Sequence, residues 1–581
     1  MYFHCRLSST LVAVEPNIET VMLHPLTATY YDPDQKIWSG PKCKDLYNEN
    51  ITLGEVIYAA LSKHPQKIIQ IHDVSGVKVT CAELLHNAKV LARNLLKLDL
   101  KLGDVIGLYA SNWSHTTTLM LASFLCGTPV NALYPGFDKE NVALLYKITR
   151  PKLIFCDVEN YQIAQEVNRE LNLDALVFIM NDNEGVKGLG HIKDLLLVKQ
   201  STEDQYFRYP CFDLKGDDTA IIICSSGTTG TPKGVQCSHR ALLNQNVYLT
   251  LRSDSILCSF STLYWISGVF TLVSSLTYAS LRILTTEPFS PQYFLDLVRR
   301  YRITHFLGGG NFMAELIMYC DEKEIAKSLE SIDTLLIGGA KVLQAVQEKK
   351  NSILACNTQR PGFCVAYGMS ELSGMLSTNG GSSAIQSLDG SEGKLVANKQ
   401  VRIIDKQGGN LGPNEHGEIC ILTPYTWPGY YNNPEATNKA LRNNWLHTGD
   451  IGYFDDDGFL HVCGRDNDVF KSRNFQIYPQ LIEDVIYRIP GVEECCVFGI
   501  PDFVASHLTA CVVVRTNNLE GLKLTTKEID QHVKANMGSM YHLSGGVYFV
   551  EAIPKTGSGK VQRRKVLELV MKIKEGGNNK Q

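Results

Sequence analysis

The chain has 581 residues, too many for a single hydrophobic core, so two or more domains are expected. Its 44% hydrophobic and 20% charged residues are ordinary for a globular protein, and a net charge of -4 excludes a protein built mainly to grip nucleic acid. Seventeen cysteines, an odd number with no Cys-x-x-Cys pair, argue against a disulfide framework or a zinc site and for a reducing compartment.

Residues before about Leu53 read as an extended lead-in, without the sustained apolar stretch of a signal or transit peptide. Residues 77–80 read as a strand, and Thr80 caps an amphipathic helix over 81–98 with Leu84, Leu85, Ala88, Leu91, Ala92 and Leu95 on one face. A strand over 105–110, a helix over 113–126, a strand over 129–132, a helix over 139–146 and a strand over 153–156 follow. This alternation predicts a parallel, doubly wound α/β architecture. The longest apolar regions, 118–126 and 268–284, are too short or too interrupted by Ser and Thr to span a bilayer, so no transmembrane segment is expected.

The run Ala220-Ile221-Ile222-Ile223-Cys224 reads as a buried strand, and helix-like residues begin at His239. Between them stands Ser225-Ser226-Gly227-Thr228-Thr229-Gly230-Thr231-Pro232-Lys233-Gly234, which the spacing predicts as a strand-to-helix loop. Glycines let the backbone close tightly around an anion, Ser225, Ser226, Thr228 and Thr229 supply hydroxyl donors, and Lys233 adds a point charge. That chemistry suits a polyphosphate. It is not the G-x-x-x-x-G-K-[ST] loop, because no hydroxyl residue follows Lys233.

The α/β pattern then resumes with strands over 255–260, 282–285, 305–307 and 332–337 and helices over 268–279 and 291–301. Binding loops in such sheets lie beyond the carboxyl ends of strands, where Gly338-Gly339-Ala340 falls. From Gly393 the texture changes to short strands and turns, an all-β segment closing the large domain. Past Gly464-Arg465-Asp466-Asn467-Asp468 the chain restarts with a helix over 481–488, strands over 493–498 and 510–514, and a helix over 527–536. The expected organisation is a large domain, 1–466, of doubly wound sheets plus a small β-rich subdomain, then a hinge and a small mobile α+β domain, 467–581.

The wording of the glycine–hydroxyl loop resembles the phosphate loop of the adenylate-forming enzymes, the superfamily of acyl-CoA synthetases, 4-coumarate:CoA ligases, peptide-synthetase adenylation domains and beetle luciferases. Four further stretches resemble that family in order: Gly338-Gly339-Ala340, Tyr367-Gly368-Met369-Ser370-Glu371, Trp445-Leu446-His447-Thr448-Gly449-Asp450 with Gly464-Arg465, and Pro554-Lys555-Thr556-Gly557-Ser558-Gly559-Lys560. Taken singly they are weaker, since an Asp after a turn glycine is commonly a cap and a lysine in a Gly/Ser/Thr turn is commonly just solvated.

The resemblance implies that Tyr367 stacks on adenine beside the glycine turn, Ser370 binds phosphate, and Glu371 serves Mg²⁺ through phosphate or water. It implies that Asp450 and Arg465 grip the ribose, that Asn467 is the hinge, and that Lys560 is the adenylation lysine. The last role has a physical reason: a carboxylate attacking a phosphate brings two anions together, and a positioned cation offsets the developing charge. Lys471, Asn474 and Gln476 resemble the loop lining the thiol tunnel, with Asn474 where glycine is usual. In Tyr264-Trp265-Ile266-Ser267-Gly268, Trp265 stands where luciferases and 4-coumarate:CoA ligases carry histidine, either as a gate to the acyl pocket or as a buried aromatic.

The activity implied is ATP-dependent activation of a carboxylic acid, fatty or aromatic, to an acyl-adenylate with release of pyrophosphate, then transfer to coenzyme A. ATP, Mg²⁺ and coenzyme A are the implied ligands, and a small-molecule acid the partner. A luciferase-like monooxygenase and a non-catalytic nucleotide or acyl sensor are the alternatives. The chain ends Asn579-Lys580-Gln581, not in a Ser-Lys-Leu type of address, so the cytoplasm is the expected compartment, with a peroxisomal location left open.

Overall fold

The computed structural model describes residues 27–182, 188–197, 209–225, 232–245, 251–319, 321–339, 363–379, 390–472, 475–502, 506–538, 541–556 and 560–578. Two largely parallel sheets form its centre. The first runs, edge to edge, Lys233–Ser238, Thr219–Ser225, Val130–Ala132, Ile106–Tyr109, Leu153–Cys156 and Leu176–Ile179, all parallel except the first strand. In the second, Phe363–Met369, Thr334–Gly338, His305–Gly309, Ile256–Cys258, Leu281–Leu284 and Ile68–His72 lie parallel, with antiparallel strands at both edges.

Helices fill the space around these sheets. Every residue of Thr116–Cys126 is buried, so its hydrophobicity is all-round rather than striped, as a helix enclosed by other elements requires. Leu53–Lys63 and Cys81–Lys97 pack in the same core, each opened by a capping box: Thr52 with Glu55 and Thr80 with Glu83 satisfy the first-turn amides reciprocally. Among the described residues no helix is long and apolar enough to cross a membrane.

A third, antiparallel sheet joins Tyr30–Asp32, Ile37–Ser39, Gln400–Ile404, Gly417–Leu422, Trp445–Phe454, Leu441–Arg442 and Leu460–Arg465 around a core containing Trp38, Ile403, Ile419 and Phe454. A fourth combines Phe470–Ser472, Phe475–Ile477, Val492–Asp502, Ser506–Arg515 and Gly546–Phe549 with the helices Pro479–Ile486 and Thr526–Met537 and a last helix, Arg563–Asn578. The α/β architecture with an added β layer and an α+β C-terminal part is as expected from the sequence.

Two local expectations are corrected. The lead-in before Leu53 is not merely extended, because Tyr30–Asp32 and Ile37–Ser39 pair as a hairpin whose second strand joins Gln400–Ile404. The polyphosphate-like loop does not lead from strand to helix. Lys233–Ser238 forms a further strand antiparallel to Thr219–Ser225, and the helix His239–Gln245 begins only after it. The stretch from Trp445 to Asp450 lies inside a ten-residue strand, not at the cap where an aspartate after a glycine is commonly found.

Candidate active site

The loop from Ser225 to Lys233 bridges two hydrogen-bonded neighbours, so its two ends sit opposite each other in register. Ser226, Gly227, Thr228, Thr229 and Gly230 lie outside the described residues. Lys233 stands at the near end, its Nζ 4.7 Å from the centre of the Tyr430 ring. The Tyr430 segment extends this sheet edge: Tyr431 N–H donates to Gly234 O at 2.7 Å and Gln236 N–H to Gly429 O at 3.2 Å.

The strand Phe363–Met369 carries Tyr367 and Gly368 into the 3-10 turn Ser370–Leu372, which holds Ser370 and Glu371. Glycine at 368 is needed for packing, since a Cβ there would lie 2.2 Å from Gly374 O. Tyr430 Oη donates to Glu371 Oε1 at 2.8 Å, so the carboxylate meets the side chain that also carries Lys233. At the neighbouring strand end, Gly338 is in register with Ala366, and Gly339 adopts φ +80, a left-handed conformation suited to glycine. Ala340 lies outside the described residues.

Tyr367 Oη donates to Asp450 Oδ2 at 2.5 Å. Asp450 faces Arg465 across the ladder between Trp445–Phe454 and Leu460–Arg465, with Arg465 Nε 2.9 Å from Asp450 Oδ1. Each carboxylate oxygen thus has one partner and keeps a lone pair, the capacity a diol would use. Burial pushes Asp450 above the usual carboxylate value, opposed by Arg465 and the Tyr367 hydroxyl. Burial, and then the Asp450 charge, push the Tyr367 phenol well above its ordinary value, so it remains a donor. Glu418 steadies the strand just before Asp450, accepting from Gly449 N–H at 3.1 Å and contacting His447 Nδ1 at 2.9 Å.

The C-terminal part completes this cluster. Lys560 keeps an exposed surface, with protein packed around the rest of it. That surrounding mass, and then the Arg465 charge, hold its ammonium below the ordinary lysine value, while Asp450 and Glu371 act in the opposite direction. Three cationic residues, Lys233, Arg465 and Lys560, and two carboxylates, Glu371 and Asp450, therefore converge from five segments of chain. Such an array favours a polyanion that brings a cation of its own.

Asn467 is exposed in the 3-10 turn Asp466–Asp468, with an ordinary negative φ, so the tolerance of asparagine for unusual backbone angles is not drawn on in this arrangement. Lys471, exposed, pairs with Gln476 across the ladder of Phe470–Ser472 and Phe475–Ile477. Asn474, in the turn between them, lies outside the described residues. The small-domain lysine that acts on Asp450 is Lys560. Trp265 precedes the helix Ile266–Thr277 and meets Tyr264 edge-on, with ring centres 4.5 Å apart.

Three contributors escaped sequence reasoning: Tyr430, Glu418 and Arg563. Arg563, three residues beyond Lys560, binds Glu483 through Nη2 at 2.6 and 2.8 Å and Asp468 through Nη1 at 3.0 Å, linking the lysine loop to the residue after Asn467. Only the basic run at 563–565 hinted at it.

Residues 57–431 match the family model for AMP-binding enzyme, and residues 481–560 that for the AMP-binding enzyme C-terminal domain. The chain is 26% identical over 549 residues to luciferin 4-monooxygenase of Photinus pyralis, covering 92% of this chain and 97% of that protein. It is equally 26% identical over 551 residues to 4-coumarate–CoA ligase 1 of Petroselinum crispum, covering 92% and 96%. Its fold resembles that of ATP-bound MatB from Rhodopseudomonas palustris, with a TM-score of 0.78 at 23% identity over 89% of this chain and 99% of that one.

Proposed function

The chain belongs to the AMP-binding enzyme family, the adenylate-forming superfamily, and from that premise we propose that it is an ATP-dependent acid–thiol ligase. It would activate a fatty or aromatic carboxylic acid as an acyl-adenylate and pass the acyl group to coenzyme A. One observation carries the reading: Lys560, from the C-terminal part, acts on the same charge cluster as Asp450, Arg465 and Glu371. A protein that only sensed nucleotide would not need a second-domain lysine at that point.

In this reading the loop from Ser225 to Lys233 cradles the β- and γ-phosphates, Ser370 adds a hydroxyl, and Tyr367 lies along adenine beside Gly338 and Gly339. Asp450 and Arg465 hold the ribose. Lys560 bridges the acid carboxylate and the α-phosphate, reducing the repulsion between the two anions as the new bond forms. Glu371 fits a magnesium site, being a hard oxygen donor near the phosphates with one oxygen already held by Tyr430. Bound there, Mg²⁺ would neutralise phosphate charge. Rotation about Asn467 would then exchange Lys560 for the Lys471 hairpin, opening a path for the thiol.

The assay is pyrophosphate release and AMP formation with Mg·ATP and a panel of carboxylic acids, with and without coenzyme A, for the wild type and Lys560→Ala. Acid-dependent pyrophosphate that increases with coenzyme A and disappears in the mutant supports the ligase. Adenylate that accumulates regardless of coenzyme A would remove the thioester step. Because a luciferin monooxygenase and a CoA ligase match at the same 26%, light emission with luciferin and oxygen is recorded in parallel. ATP binding without turnover on any acid would sink the enzyme reading in favour of a sensor.

A further inference from the structure

We infer that Tyr430 is a positioning residue that keeps Lys233 and Glu371 apart as separate phosphate-facing and metal-facing groups, its ring carrying the ammonium and its hydroxyl the carboxylate. The inference rests on the proposed adenylate-forming reaction. The two charges sit on one side chain, with Lys233 Nζ 4.7 Å from the ring centre and Glu371 Oε1 2.8 Å from the hydroxyl. Among the described residues, Lys233 and Glu371 form no direct ion pair.

A direct pair would compete with both ligands. An ammonium joined to a carboxylate must be separated before the one can reach phosphate and the other a metal, and that separation lowers both apparent affinities. A cation over a ring face is held loosely enough to be passed to phosphate. The hydroxyl fixes one carboxylate oxygen and leaves the second available.

Tyr430 is built to hold still. It is buried, its ring meets Trp427 edge-on at 4.9 Å, its N–H donates to Thr437 Oγ1 at 2.9 Å, and it bridges Val235 on the neighbouring strand. Burial, and then the Glu371 charge, raise the phenol above its ordinary value, so it donates throughout the working range.

The experiment measures ATP binding by calorimetry with and without Mg²⁺, which needs no turnover, and the Mg²⁺ dependence of pyrophosphate release. Tyr430→Phe keeps the ring, so metal-free ATP binding should stay within about 2-fold, while the Mg²⁺ concentration for half-maximal activity rises about 5- to 10-fold. Tyr430→Leu frees the lysine to pair with Glu371 and should weaken metal-free ATP binding about 10-fold. Adding Glu371→Gln to Tyr430→Leu should restore that binding, because the lysine no longer has an anion to pair with.

Equal weakening by Tyr430→Leu in the Glu371→Gln background would mean Tyr430 only packs, and would overturn the inference. If Tyr430→Leu does not fold, an unchanged Mg²⁺ requirement in Tyr430→Phe overturns it alone. Failure of the wild type to bind ATP under either condition would instead strike the proposed function, and this inference with it.

Discussion

Arg563 offers a test that depends on no assumed activity. Its guanidinium is only 16% exposed and the Glu483 side chain 11%, and it meets that carboxylate through two contacts at 2.6 and 2.8 Å. Glu483 Oε1 also accepts the Val497 N–H at 2.8 Å, tying the charge to the strand Val492–Asp502, which pairs along Ser506–Arg515. Arg563→Met leaves Glu483 buried with no cation. Removing one partner of a buried pair destabilises by about 3–5 kcal/mol. At about 1.4 kcal/mol per decade this is a fall of roughly 140- to 3,700-fold in the protection of the slowest-exchanging amides. The readout is hydrogen exchange along Ser506–Arg515 in the full chain. Arg563→Met/Glu483→Gln keeps an oxygen for Val497 while removing the stranded charge, and should regain at least half of the logarithmic loss. A single variant that loses less than about tenfold, or a double variant no better than the single, would refute the reasoning.

Other consequences are as direct. His239 is buried neutral, its Nδ1 accepting the Leu53 N–H at 3.3 Å, and burial lowers its pKa to about 3. A lowered base lets the unfolded chain bind a proton the folded one refuses, so this contribution is complete above about pH 6.5 and lost as pH falls below it. His239→Gln should flatten the acid-side slope of stability by up to about 1.4 kcal/mol per pH unit, and an unchanged slope in acid denaturation would reject the assignment. Gly368→Ala places a Cβ 2.2 Å from Gly374 O and should strongly lower the melting temperature, whereas Gly339→Ala meets open space at φ +80. The latter change should involve only about 1–2 kcal/mol of backbone strain, and equal thermal shifts would contradict the geometry. Because Lys560 is held below the ordinary lysine value of 10.5, kcat/KM for ATP should begin to fall at a lower pH than a free ammonium requires. A profile flat up to pH 10.5 would show that the cluster does not act on the lysine.

The sequence was most informative where a segment answers to its own residues. Leu153–Cys156 is a continuous apolar run, and Thr80 is a local capping signal, and both formed as read, with Glu83 completing the cap. Lys233–Ser238 was less legible: only Val235 and Cys237 are strongly apolar, and the strand exists because Thr219–Ser225 supplies its ladder. Tyr30–Asp32 and Ile37–Ser39 have three residues each, too few for a period, and their pairing depends on residues near 400. At the site, the glycine, hydroxyl and acidic motifs were visible because their chemistry is carried in short words. Tyr430 was not, for its meaning lies in contacts with Lys233 and Glu371 that only the folded chain brings together.

The hairpin of residues 30–39 also sets a timetable. Its inner strand pairs Trp38 with Val401, so this hairpin waits for a partner made 363 residues later. At roughly 5–20 residues per second, that delay is about 20–70 s. Through that interval Trp38 and its neighbours are without the sheet that will cover them, apolar surface that a chaperone could shield.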